Sequence, residues 1–367
     1  MDFDIQAGNI DNSNVISLPT EVRKDLGLIP GQFLEIKTES IAFVLQVIPP
    51  LKEEQEVALV SPSVYSSFNG KELEHQILEV TLGCDPEFFI LWGQRRMSAT
   101  NYLPFAGQVG CDGELGELRP MYGKHEDRVV DNLHNLIKQI PSRTKRCKAA
   151  SPNLPVDGYS FNYEAHSFFM NLAAGFHIHL GLPPEILNTR KEFNRVTMNH
   201  LVQCLDWYVS TPCISLEENH GRRLGRSQYG QPGDYRPSNV TLEYRTPGGF
   251  FLRSPKLSNG LLGTALLVVE FLVSRLKEQS NNFVHLQKLT KNDLNEILPV
   301  PNTNEILETL LHKDPNVSKR YLDKIRTQLE QLPNYKNHQE AVNNLFIEEG
   351  KPLEQSSNLL TNWKERL

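Results

Sequence analysis

The chain has 367 residues, enough for two or three domains with real hydrophobic cores and far too many for a peptide scaffold. Lysine and arginine total 38 against 44 aspartates and glutamates, a net charge of −6, which gives no global electrostatic reason for nucleic-acid binding and leaves only a local basic patch to support it. Cys84, Cys111, Cys147, Cys204 and Cys213 lie far apart with no CxxC pair, which argues against a disulfide framework or zinc knuckle and for reduced, cytoplasmic thiols.

The N-terminal stretch MDFDIQAGNIDNSN has neither a basic nor an apolar export region, and the longest apolar run, 261–273, is shorter than the roughly 20 residues that cross a bilayer. A soluble, cytoplasmic protein with no membrane partner is therefore expected. Composition divides the chain into three zones, 1–72, 73–285 and 286–367. In the first, VISLPTEVRKDLGLIPGQFLEIK reads as a short strand, a proline-started helical turn over 19–26, a Pro30-Gly31 turn and a strand around 33–36. VALVSPSVYSSFNG repeats the order of strand, proline, short helix and glycine, so a small β-barrel or swapped-hairpin module is expected. Its LPxxxRxxLGLxPGxxLE pattern resembles the AbrB family of hairpin domains, and also the small barrels ahead of some ligase domains. That resemblance implies DNA binding or dimerisation. The scarcity of lysine and arginine there favours an accessory folding or dimer module at least as well.

In the second zone helices are expected over 126–140, with Val129, Val130, Leu133 and Ile137 on one side, over 190–209 and over 258–277. The third zone, rich in Asn, Gln, Leu, Lys and Glu, reads as a helical extension. Ile306, Leu310, Leu311, Tyr321, Ile325 and Leu329 form its packing stripe. No chemistry is assigned to it, and a coiled or partner-binding tail is the alternative.

Alternate residues of a strand project from one face. In LEVTLGCDPEFFILW that rule puts Asp85 and Glu87 together, with Phe88 and Ile90 behind; in CDGELGELRP it joins Glu117 and Arg119, with Leu118 opposed. In NLAAGFHIHLGLPP it joins His177 and His179, and in NVTLEYRTPGG it joins Glu243 and Arg245, each pair backed by apolar neighbours. One such pair would be an ordinary surface ion pair. Four of them describe an antiparallel sheet with an apolar back and a ligand-binding front.

Carboxylates with one or two imidazoles suit Mg²⁺ or Mn²⁺ better than zinc or copper, and such ions commonly bridge carboxylates to substrate phosphates. Arg119 and Arg245, with Arg222, Arg223, Arg226 and Arg236 in the glycine-rich stretch HGRRLGRSQYGQPGDYRPSN, offer guanidinium forks for phosphate or carboxylate. No GxxxxGK[ST], GxGxxG after a strand, GxSxG or HExxH occurs, which disfavours a P-loop, dinucleotide fold, α/β-hydrolase or zincin.

GCDPEFFI, DGELGELRP, GFHIHLG, YGQPGDYR and LEYRTP, in that order over 83–247, resemble the glutamine synthetase-like carboxylate–amine ligases, most closely the phage COOH-NH2 ligase type. The resemblance implies α+β architecture: a glutamine synthetase-like curved antiparallel sheet backed by helices, preceded by the small β module and followed by the helical extension. It implies an ATP-dependent amidoligase that forms an amide or peptide bond through an acyl phosphate, with ATP and Mg²⁺ (or Mn²⁺) as cofactors. Asp85, Glu87, Glu117, His177 and Glu243 would then bind metal. Arg236 and Arg245, with Arg226 or Arg119, would stabilise the γ-phosphate and the intermediate, and His179 would support the site or touch substrate. Asp85 stands where that family has glutamate, and Asp112 and Glu114 compete for the position given to Glu117.

Partners on this reading are a small-molecule or peptide carboxylate and an amine, with nucleic acid not expected and a homo-oligomer left open. The base that deprotonates the amine is unassigned. Two other readings stand beside it: a metal-dependent hydrolase or phosphodiesterase using the HxH pair, and a non-enzymatic DNA-binding or assembly protein.

Overall fold

The computed structural model describes residues 80–187, 192–217, 221–224, 229–238, 240–312, 316–347 and 356–364, and five strand segments nearer the N-terminus. The chain divides into two compact units, Met1–Ile77 and Leu78–Leu367. In the first, Ile41–Val47 pairs antiparallel with Phe33–Lys37, Ala58–Val60 and Tyr65–Ser66, and Val15–Ile16 pairs with Ala58–Val60. The helical turn expected over 19–26 and the Pro30-Gly31 turn lie outside the described residues.

The second unit is built on an eight-stranded antiparallel sheet. Its strands are β1 (Thr81–Trp92), β2 (Arg95–Met97), β3 (Val109–Asp112), β4 (Leu115–Leu118), β5 (Asn162–Glu164), β6 (Phe176–Gly181), β7 (Tyr235–Pro237) and β8 (Thr241–Tyr244). The main order is β7-β8-β6-β1-β4-β3, and β2 and β5 both pair with the second half of β1. Long β1 therefore joins two halves: residues 81–86 pair with β6, while Glu87 and Phe88 pair with β4. Apolar residues on the back of these strands, among them Leu82, Phe88, Ile90, Phe176, Ile178, Leu180, Leu242 and Tyr244, are buried in one continuous core.

Helices cover that back. α1 (Glu126–Arg143) buries Val129, Val130, Leu133 and Ile137, the stripe expected from the sequence, and runs slightly beyond the expected end with Pro141 in its last turn. α2 (Glu192–Leu205) gives way to a wide, π-type turn at Asp206–Ser210, whose residues are all buried. α3 (Pro255–Gln279) starts at Ser254, whose hydroxyl accepts from Leu257 N, with proline at the first helical position. It is long and apolar enough to cross a membrane by length and composition, and most of its apolar window is buried inside the unit.

The third zone packs into the same unit. Ile306, Leu310, Ile325 and Leu329 are buried in the core, on Thr303–Leu311 and Leu322–Glu330, and α4 (Gln339–Leu345) lies against α3. Trp363 Nε1 donates to Leu252 O at 2.8 Å, closing the described chain onto the core.

Candidate active site

Alternation decides which side of a strand a residue faces, and register decides which neighbours it meets. Asp85 lies directly opposite His177, His179 opposite Glu243, Glu243 opposite Arg236, and Glu87 opposite Glu117. Directly opposed residues of antiparallel strands share a face. The charged positions of β1, β4, β6, β7 and β8 thus form one polar front on the side away from the main core.

His177 Nδ1 is 3.2 Å from Asp85 Oδ1 and 3.8 Å from Glu243 Oε1, and His179 Nε2 is 3.0 Å from Asp85 Oδ2. Burial alone would raise the Asp85 pKa, but its contacts with His177 and His179 outweigh that and hold it at about 2. Glu87 is buried and its pKa is raised, burial prevailing over the charge of His177 and the bond from Gly175 N. His179 moves the other way from what its burial alone would do: Asp85 and Glu243 raise its pKa.

Arg236 NH1 lies 3.3 Å from Glu243 Oε2, and Arg245 Nε lies 3.2 Å from Glu243 Oε1 and NH1 3.7 Å from Asp234 Oδ1. The Arg236 side chain is 65% exposed, so its guanidinium can still meet an anion from solvent. Arg119 pairs with Glu117 and donates to Gly107 O at 3.1 Å and Cys111 O at 3.4 Å, bracing the loop ahead of β3. Arg226 lies outside the described residues. Of the competing carboxylates, Glu114 is paired with Arg96 at 2.7 Å, whereas Glu117 sits beside Glu87.

Two arginines read as phosphate-binding candidates are structural. Arg222 is fully buried and donates to Thr246 O at 2.5 Å and Arg245 O at 2.8 Å, while Arg223 makes two bonds to buried Glu217 at 2.5 and 3.0 Å. The terminal nitrogens of both guanidiniums are spent on the protein itself. Sequence reasoning also gave no role to Tyr229, although it quoted the stretch containing it. The Tyr229 hydroxyl is 2.5 Å from His177 Nε2 and 3.5 Å from Glu87 Oε1, and the guanidiniums of Arg222 and Arg245 lie 4.4 and 5.2 Å from its ring centroid. No periodicity marks a loop residue, so only its place in the quoted stretch could have pointed to it.

The front is not polar throughout. Phe89, two residues after Glu87, and Leu115, two before Glu117, form a small apolar cluster with Ala174, covered by Phe169 and Leu172 of the hairpin formed by Phe168–Phe169 and Leu172–Ala173. In donor chemistry, Asp85, Glu87, Glu117, His177 and Glu243 fit a hard divalent cation. Asp85 Oδ1 and Glu117 Oε2 are buried oxygens on this front, with His177 Nδ1 at 3.2 Å from the first and Arg119 paired to the second. Among the described residues, however, no three such groups are gathered closely enough to hold an ion as they stand.

No curated protein matches the sequence. A bifunctional glutathione synthetase from Pasteurella multocida aligns in structure with a TM-score of 0.34 and 11% identity over 73% of this chain and 52% of its own, so the chain spans about half its length. A novel glutamine synthase homolog aligns with a TM-score of 0.32 and 12% identity, over 77% of this chain and 69% of its own. Residues 82–365, which take in the whole polar front, match the family described as phage phiEco32-like COOH.NH2 ligase-type 2. The chain belongs to that family of COOH.NH2 ligases.

Proposed function

We propose that the polar front of the sheet carries out ATP-dependent amide or peptide bond formation through an acyl phosphate. The observation that carries this reading is the register that lines Asp85, Glu87, Glu117, His177 and Glu243 along one face with Arg236 and Arg245 at its edge. A carboxylate is a poor electrophile at neutral pH. Its oxygen attacks the γ-phosphorus of ATP, the bond to ADP breaks, and the resulting acyl phosphate accepts an amine; phosphate then leaves and the amine gives up a proton.

Negative charge gathers on the transferring group, and cationic side chains at fixed positions stabilise it. Arg236, reaching into solvent, and Arg245, anchored between Glu243 and Asp234, take that role. Asp85, Glu87, Glu117, His177 and Glu243 would hold Mg²⁺ or Mn²⁺, which supplies charge neutralisation on the nucleotide phosphates. His179 holds Asp85 in place through its 3.0 Å contact. Arg119, committed to Glu117 and two carbonyls, is the weakest of the proposed catalytic arginines. The ligase family match favours this reading over the hydrolase and non-enzymatic ones.

Calorimetric titration of ATP into the metal-stripped chain, with and without excess Mg²⁺ and repeated on Glu243→Ala, tests the proposal. ATP binding that requires Mg²⁺ and disappears in the variant is expected. Absence of ATP binding under every metal condition would sink it.

A further inference from the structure

The stretch YGQPGDYR carries Tyr229, Asp234 and Arg236 to the polar front, yet it gains a strand partner only at Tyr235. Gly230 and Gly233 both have positive φ, 69° and 78°, so the backbone turns sharply twice. Its path is set by hydrogen bonds from outside the loop. Thr246 Oγ1 donates to Gln231 O at 3.0 Å, Gln231 Nε2 donates to Arg223 O at 2.6 Å, and Arg245 N donates to Asp234 O at 3.0 Å.

One further carboxylate reaches both the loop and the strand beside it. Asp206, 2% exposed, sits in the wide turn behind the sheet. Its Oδ2 accepts from Gly233 N at 2.8 Å and its Oδ1 from the Tyr244 hydroxyl at 2.6 Å, while the Thr246 hydroxyl, whose one proton is shared with Gln231 O, lies 3.3 Å from Oδ1. Tyr244 points to the back of β8, directly after Glu243 on the front, and Thr246 follows Arg245. The same carboxylate therefore clamps the loop and the end of β8 together. A buried carboxylate is costly unless its lone pairs are satisfied, and here every donor that satisfies it belongs to the front's supports. Asparagine would offer one acceptor atom and turn an amide N–H₂ toward the other donors, so the position calls for a carboxylate. Burial pushes the Asp206 pKa up to about 7, against the pull of Tyr244, Gly233 and Thr246.

We propose that Asp206 is a positioning residue: from behind the sheet it fixes the 229–236 loop against β8 and so sets Tyr229, Arg236 and Arg245 at the polar front. Its effect on catalysis rests on the ligase reading of that front; its effect on the loop does not. Displacements of about 1 Å in such groups can cost on the order of 100-fold in rate.

The test is Asp206→Asn in the full chain, with 3-fluorotyrosine placed at position 229 and hydrogen exchange followed by mass spectrometry. The expected result is a shifted or broadened ¹⁹F resonance and faster exchange confined to 229–236, with exchange across β1 unchanged, and Mg²⁺-dependent ATP binding at least tenfold weaker. A resonance and loop exchange identical to the parent chain would overturn the proposal. If Asp206→Asn does not fold, Tyr244→Phe removes the 2.6 Å donor from the clamp with little change of shape and without touching the loop itself, and the same criteria decide. Should the parent chain bind no ATP, the ligase reading fails while the fluorine and exchange data still settle the positioning claim.

Discussion

Asp85, flanked by two imidazoles, keeps its charge far below neutral pH, while Glu87, in the same strand and two residues away, is pushed toward the protonated form by burial. Two carboxylates on one strand thus acquire different proton affinities from their surroundings alone. Gly175 shows how closely the backbone approaches this pair: its N–H bonds to Glu87, and a Cβ placed there would come 2.4 Å from His177 Nε2 and 3.0 Å from the Tyr229 hydroxyl. Gly175→Ala is therefore expected to displace His177 and abolish ATP-dependent ADP release, while circular dichroism and the melting temperature change little. A variant with unchanged turnover would mean that His177 can move without consequence. The pairing of His177 with His179 and of Glu243 with Arg245 was legible in the sequence, because alternation is a local property of the strand. The buried roles of Arg222 and Arg223 were not, since an arginine in a glycine-rich stretch reads the same whether it faces solvent or a buried carbonyl.

At the scale of elements, the contact between β1 and β4 brings Glu87 beside Glu117, and it depends on a missing side chain. Gly116 lies against the Phe88 ring, where an added Cβ would come 2.3 Å from the nearest ring carbon. Gly116→Ala should overpack this contact and destabilise the unit by about 1–3 kcal/mol, read from urea denaturation. An unchanged midpoint would show that the two strands can separate freely. The helices over 126–140 and 258–277 were legible from apolar spacing, and the structure extends both to Glu126–Arg143 and Pro255–Gln279. The helix expected over 190–209 instead changes at Asp206 into a wide turn, a departure that local apolar spacing does not encode.

At the scale of the second unit, α4 is locked to the body by a buried imidazole. His338 Nδ1 lies 3.1 Å from Glu126 Oε2 on α1, and Nε2 lies 3.0 Å from Glu270 Oε2 on α3. Burial alone would lower its pKa, but the two glutamates outweigh that and raise it to about 9. Because the folded pKa lies above the unfolded value near 6.5, this stabilisation is fully present below about pH 6.5 and is lost as pH rises through about 9, a change of roughly 3 kcal/mol. Denaturation of the parent chain and His338→Gln at about pH 6 and about pH 9.5 should show a stability gap at the lower pH that largely closes at the higher. A gap independent of pH would mean that His338 is neutral throughout.

The sequence by itself determined which side chains share a strand face, where the long helices run, and membership of a carboxylate–amine ligase family, because alternation, apolar spacing and motif order are all written along the chain. Only the tertiary structure decided that Asp85 meets His177, that His179 and Arg236 both meet Glu243, and that Tyr229 and Asp206 belong to the same assembly. Register and burial arise from packing between separate segments, 142 residues apart in the case of Glu87 and Tyr229, and no local pattern carries them.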